Sequence, residues 1–118
     1  MTITKKNAVV LHMTQGCDWT MTVRFKNPNG TAKAMTGKSL KMGIVPNPGA
    51  TPVILLTTAN TKIVLTEATG IAVFTLKATD TLLLKQKRYE YDVIATDTTP
   101  HTDEEFSGTI EVEPQRTP

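Results

Sequence analysis

The sequence predicts an all-β protein, an antiparallel sandwich of two sheets with about seven or eight short strands. Three observations carry that prediction. In Trp19-Thr20-Met21-Thr22-Val23-Arg24-Phe25-Lys26 apolar residues alternate with hydroxyl and basic ones, and Tyr89-Glu90-Tyr91-Asp92-Val93-Ile94-Ala95-Thr96 repeats the rhythm with one break at Ile94. Side chains alternate faces along a strand, so each segment has one face for a core and one for water. Turn residues punctuate the chain at short intervals. Threonine is abundant while aromatics make up only 5%, a balance that suits a solvated strand face better than a helix.

Taken in order, Ala8 to Met13 is a short strand that ends at Thr14-Gln15-Gly16, where glycine permits a turn or bulge. Asp18 to Lys26 is the second strand, closed by Asn27-Pro28-Asn29-Gly30, a run in which Asn and Gly tolerate positive φ and Pro fixes its own. Thr31 to Gly37 is irregular, with Ala34 and Met35 placed to tuck under a sheet. Ser39 to Val45 is the third strand, with Leu40, Met42 and Ile44 on one face. Pro46-Asn47-Pro48-Gly49-Ala50-Thr51-Pro52 cannot continue it, because its prolines remove donors from a ladder. This is the longest loop and the first candidate for partner contact.

Val53 to Thr57 and Lys62 to Leu65 are short strands around Thr58-Ala59-Asn60. After the turn Glu67-Ala68-Thr69-Gly70, the segment Ile71 to Leu76 alternates, with Ile71, Val73 and Thr75 sharing a face. Ala78 to Leu84 is the one candidate helix, a short element near 79–85; Thr79 or Asp80 can cap it, and Leu82, Leu83 and Leu84 can reach the core. The strand from Arg88 to Thr96 follows, then an acidic loop from Asp97 to Glu105. Phe106 to Glu113 closes the sandwich with Phe106, Ile110 and Val112 inward, and Pro114 ends it. The reading is one domain over 1–118 with loose termini at 1–7 and 114–118. An oligonucleotide-binding barrel is the runner-up, disfavoured by too many strands and no aromatic platform.

A chain of 118 residues buries one proper core without metal or disulfide staples. Its single cysteine, Cys17, cannot close an intrachain disulfide and reads as a small apolar filler beside Trp19. The formal net charge of +2 is too small to argue for nucleic acid. Its distribution is uneven: residues 1–60 carry seven Lys or Arg against one acid, Asp18, and residues 61–118 carry six against ten. If the fold separated the halves, copies could meet head to tail through opposite charge; a Greek-key topology would instead interleave them. Lys5-Lys6 before Ala8-Val9-Val10-Leu11 imitates a signal peptide only loosely, since His12 interrupts a short apolar run. No stretch approaches the roughly 20 apolar residues of a membrane span. The expectation is synthesis in the cytoplasm, no export by that route and no membrane partner.

No constellation of catalytic residues stands out, and no cofactor is expected. His12 and His101 lack metal-ligand spacing to a second ligand. His12 falls on a solvent face, and His101 sits with Asp103, Glu104 and Glu105 in the acidic loop, the second candidate contact. Its oxygens suit weak chelation of a hard cation, although a solvated acidic loop is far commoner. Lys85, Lys87 and Arg88 precede Tyr89 without the exposed aromatics that stacking on a nucleic acid requires. Sugar binding by a sandwich also needs an exposed aromatic, and the sole Trp sits in an alternating strand.

Gln15-Gly16-Cys17-Asp18-Trp19, Asn29-Gly30, Met35-Thr36-Gly37, Leu40 to Ile44, Ala68-Thr69-Gly70, Tyr89-Glu90-Tyr91-Asp92-Val93 and the closing Gly108 to Pro114 occur in that order along nearly the whole chain. Together they resemble a family of small immunoglobulin-like sandwich domains from tailed-bacteriophage virions, such as the N-terminal domains of baseplate upper proteins and related tail or fibre proteins. Two departures are Cys17, inserted between Gly16 and Asp18, and Lys87, where the family often has a turn glycine. The resemblance implies an immunoglobulin-like sandwich and a tyrosine-corner hydrogen bond from Tyr89. It also implies a non-enzymatic virion component, made in the host cytoplasm, that binds its own copies and other virion proteins in the tail, baseplate or fibre-attachment region. Head decoration and carbohydrate binding are the alternatives. Sheet edges and the prolyl loop are the natural contact devices.

Overall fold

The computed structural model describes residues 2–3, 9–27, 29–98 and 102–114. The expectations for Lys5, Lys6, Ala8, Pro28, His101 and the tail at 115–118 lie outside the described residues. Among the described residues nine strands and one helical turn follow each other: β1 (Thr2–Ile3), β2 (Leu11–Thr14), β3 (Trp19–Phe25), β4 (Ser39–Val45), β5 (Ile54–Thr57), β6 (Ile63–Thr66), β7 (Ile71–Leu76), α1 (Ala78–Thr81), β8 (Arg88–Thr96) and β9 (Thr102–Glu113). They form two sheets, of order β1-β3-β7-β6 and β2-β9-β8-β4-β5.

That order is the immunoglobulin-like one. With β3, β7 and β6 as strands B, E and D, and β9, β8, β4 and β5 as G, F, C and C′, β2 beside β9 takes the place of A′, and β1 lies beside β3, parallel to it. Strong alternation builds these strands. Along β3, Met21, Val23 and Phe25 are buried while Thr20, Thr22 and Arg24 are exposed; along β8, Tyr89, Tyr91, Val93 and Ala95 point inward. Phe25, Phe74 and Phe106 fill the centre with Met35, Met42 and Leu56. The Phe106 ring meets the edge of Tyr91 at 5.9 Å between centroids, a favourable aromatic arrangement.

Several expectations need correction. Thr2 and Ile3 form β1 within the segment expected to be loose, and they pair in parallel with Arg24 and Phe25; β2 also runs parallel to its neighbour β9, whereas the remaining strand pairs are antiparallel. On β7 Ile71, Val73 and Thr75 do share a face, but it is the half-buried outer one, and Ala72, Phe74 and Leu76 form the core face. Both faces of that strand are apolar, so alternation alone could not choose between them. The helix stops at Thr81 and its N-cap is Lys77, whose N–H donates to the Asp80 carboxylate at 3.1 Å. Asp80 therefore satisfies the cap from inside the first turn. Of the three leucines only Leu84 is buried; Leu82 and Leu83 are exposed, because three successive residues of one turn cannot share a face.

The acidic loop is shorter than expected. Thr102, Asp103 and Glu104 belong to β9 and pair with Thr96, Ala95 and Ile94, and a register shift opposite Val93 and Ile94 takes up Glu105. A ladder needs backbone groups rather than apolar side chains, so pairing runs on through an acidic stretch that reads as loop. The shift is a bulge, one extra residue on one strand.

Candidate interaction surface at one end of the sandwich

The prolyl loop begins where β4 ends, with Val45 opposite Glu90 of β8. Asn47-Pro48-Gly49-Ala50 closes on an Ala50 N–H to Asn47 C=O bond of 3.1 Å, with Gly49 at φ 83°. Pro at the first central position and a positive-φ glycine at the second define a type II turn. The loop then folds back over the outer face of the sheet. Gly43 there is buried, and a Cβ on it would lie 3.7 Å from Pro52. Between loop and sheet an open cleft of about 320 Å³ is lined by Val45, Pro48, Gly49, Glu90, Tyr91 and Asp92. Its walls are apolar and its rim carries two carboxylates.

At the same end of the sandwich lies the turn that leads from α1 into β8, and distant parts of the chain hold it in place. The Asp18 carboxylate accepts the Ala78 N–H at 2.7 Å, the buried Thr81 hydroxyl donates to the Cys17 carbonyl at 2.8 Å, and the Gln15 amide donates to the Leu84 carbonyl at 3.2 Å. The Lys62 ammonium sits 2.8 Å from Asp80, and that hydrogen bond holds the Asp80 carboxyl below its ordinary range. The Gln86 N–H donates to the Tyr89 hydroxyl at 3.0 Å. This is the tyrosine-corner contact implied by the sequence, three residues upstream of the ring. The turn so anchored presents Leu82, Leu83, Lys85, Lys87 and Arg88 to solvent. No sequence argument had marked Leu82 and Leu83 as surface; three leucines in a row were the available signal.

The two candidate contacts do not meet. The prolyl loop lies beside Glu90 near the start of β8, and Asp103 and Glu104 pair near its other end, about 17 Å along the strand. His12 is on the solvent face of β2, 3.6 Å from Glu111. Trp19 is half-buried and packs on the core. The charged halves of the sequence interleave, since each sheet takes strands from both; Lys41 of β4 shares a face with Glu90 and Asp92 of β8. Among the described residues no group of three or more His, Cys, Asp or Glu is placed to hold a metal ion, and no helix is long and apolar enough to cross a membrane.

No protein-family model matches the sequence, and no curated protein is similar to it. Among solved structures, extracellular domains 3–5 of Drosophila OTK are similar over 93% of this chain and 35% of that chain, with 12% identity and a TM-score of 0.41. The chain thus spans about a third of the OTK structure. Murine CRIg is similar over 91% of this chain and 92% of its own, with 9% identity and a TM-score of 0.42. The immunoglobulin-like assignment rests on strand order and not on these likenesses.

Proposed function

We propose that this chain is a non-enzymatic structural protein of a tailed-bacteriophage virion, present in several copies and binding other virion proteins in the tail, baseplate or fibre-attachment region. One observation carries the reading. The motifs that resemble the phage domains include the residues that tie this sandwich together: Asp18 holds the start of α1, and the Tyr89 and Tyr91 hydroxyls bond to Gln86 N–H and Val9 C=O. Gly108 lies directly beneath Val9. Their order along the chain thus coincides with the skeleton of the fold.

A rigid slab of this kind acts through its loops and edges. The end that bears the prolyl loop joins exposed leucines, basic side chains and a carboxylate-rimmed cleft, the mixture of apolar anchors and polar rim that protein interfaces use. Mass spectrometry of purified particles of the source phage tests the proposal, with the chain expected at many copies per particle. Absence from the particles would reject it. Antibody labelling in the electron microscope refines it: label on the tail or baseplate supports the placement, and label on the head replaces it with capsid decoration.

A further inference from the structure

We infer that the end of the sandwich formed by the 82–88 turn and the prolyl loop is self-complementary. Two copies of the chain pair there about a two-fold axis, and Leu82 and Leu83 of each enter the Val45–Pro48–Gly49 cleft of the other. This stands on the geometry of one end of the molecule and is independent of the virion reading.

The knob comes first. Leu82 is 45% exposed and Leu83 51%, two adjacent large apolar side chains at the tip of a turn. They are not there for want of order. Leu84 anchors the turn at 1% exposure, and the Thr81, Gln15 and Gln86 hydrogen bonds fix its backbone. A preorganised apolar tip loses little freedom on docking, which is what makes such a residue effective at an interface.

The cleft supplies the matching shape. At about 320 Å³ it sits at the bottom of the range for small-molecule pockets, a size suited to aliphatic side chains. Val45 and Pro48 give apolar walls, and Glu90 and Asp92 give a negative rim. The knob is flanked by Lys85 and Lys87, both exposed. Opposite charge therefore meets wherever knob meets cleft, which favours this pairing and penalises like against like.

Position sets the symmetry. β8 begins at Arg88, five residues after Leu83, and its third residue, Glu90, is on the cleft rim and pairs with Val45. Knob and cleft thus lie at the same end of the sandwich. A two-fold axis between them satisfies both contacts at once, with residue i on residue j and j on i, and closes the assembly at two. The patch is small, so the dimer is a weak one.

Sedimentation equilibrium from micromolar to near-millimolar protein tests the inference. The wild-type chain should show a monomer–dimer equilibrium with no larger species. The double variants Leu82→Asp/Leu83→Asp and Glu90→Lys/Asp92→Lys should each dissociate at least about tenfold more readily, with far-ultraviolet circular dichroism unchanged because all four side chains lie at the surface. An equimolar mixture of the two variants should recover the dimer: one wild-type knob then meets one wild-type cleft, and the altered knob and cleft carry opposite charge. A wild-type chain monomeric throughout, larger open-ended assemblies, dimerisation undiminished in either variant, or no recovery on mixing would each overturn it.

Discussion

The chain meets its neighbours in contrasting ways at Val9, just before β2, and at Asn60, where it passes from one sheet to the other. At Val9 the backbone lies so close to β9 that a Cβ on Gly108 would overlap the Val9 carbonyl oxygen. The Val9 N–H donates to Ser107 C=O at 3.1 Å, and the Tyr91 hydroxyl donates to Val9 C=O at 2.8 Å. At Asn60, between β5 and β6, the crossing is exposed and a polar side chain imitates a strand. The Asn60 side-chain oxygen accepts Thr57 N–H and Lys62 N–H at 3.0 Å each, and its amide donates to Leu55 C=O at 2.9 Å. Where backbone lies against packed backbone, the device is a missing side chain and a buried hydroxyl. Where it crosses in water, an amide that hydrogen-bonds like a peptide is enough. The first arrangement has no slack, while water can stand in for much of the second.

Gly108→Ala probes that difference most sharply. The new methyl would overlap backbone rather than the end of a flexible side chain, so either β2 leaves β9 or the sheet shifts, at a cost of about 3 kcal/mol or more. Urea unfolding should show the loss, and hydrogen exchange should show it concentrated at the amides of β2. Gly43→Ala is the control. Its methyl would meet Pro52 at 3.7 Å, an ordinary contact, and stability should change little. If Gly108→Ala cost no more than Gly43→Ala, the Val9 contact would not be the close-fitted element described.

Tyr91 sharpens the comparison through pH. Burial pushes its phenol up to about 12 from an ordinary 10.0, so the folded protein holds that proton more tightly than the unfolded chain. The associated stability is complete below pH 10 and is lost as pH rises from 10 to 12, in total about 2 kcal/mol. Tyr91→Phe keeps the ring against Phe106 but leaves the Val9 carbonyl without its donor, which costs about 1 kcal/mol at neutral pH. The variant should also be less sensitive to alkali than the wild type. Urea midpoints of both proteins between pH 7 and 12 check this, and parallel curves would show that Tyr91 does not titrate in that window.

The ends of Ser39–Val45, Ile71–Leu76 and Arg88–Thr96 are legible from the residues alone, and in the first and last of these the inward face is legible too. The inward face of Ile71–Leu76 escaped because both faces are apolar, and β1 escaped because two residues carry no period. The candidate surface was half legible. Prolines marked the 46–52 loop as a break, but its folding back over Gly43 depends on tertiary packing. The knob depends on long-range bonds such as Thr81 to Cys17, 64 residues apart, and the Val9 contact on Tyr91, 82 residues away. Periodicity describes neighbours in sequence and is silent about such pairs.

The smallest expected effect comes from the Asn60 crossing. Thr61, the residue after Asn60, has φ 64°, the one positive value at a non-glycine among the described residues. A β-branched side chain is poorly suited to that region, which costs an ordinary L-residue about 1–2 kcal/mol. The Thr61 hydroxyl offsets part of this by donating to the Asn60 carbonyl at 2.6 Å. Asn tolerates positive φ far better, so Thr61→Asn should stabilise the protein by about 0.5 kcal/mol and raise its melting midpoint by a few degrees. Scanning calorimetry of the two proteins decides it. A lower midpoint would mean that the hydroxyl bond outweighs the strain, and that the exposed crossing depends on its particular side chains as strictly as the buried contact at Val9 does.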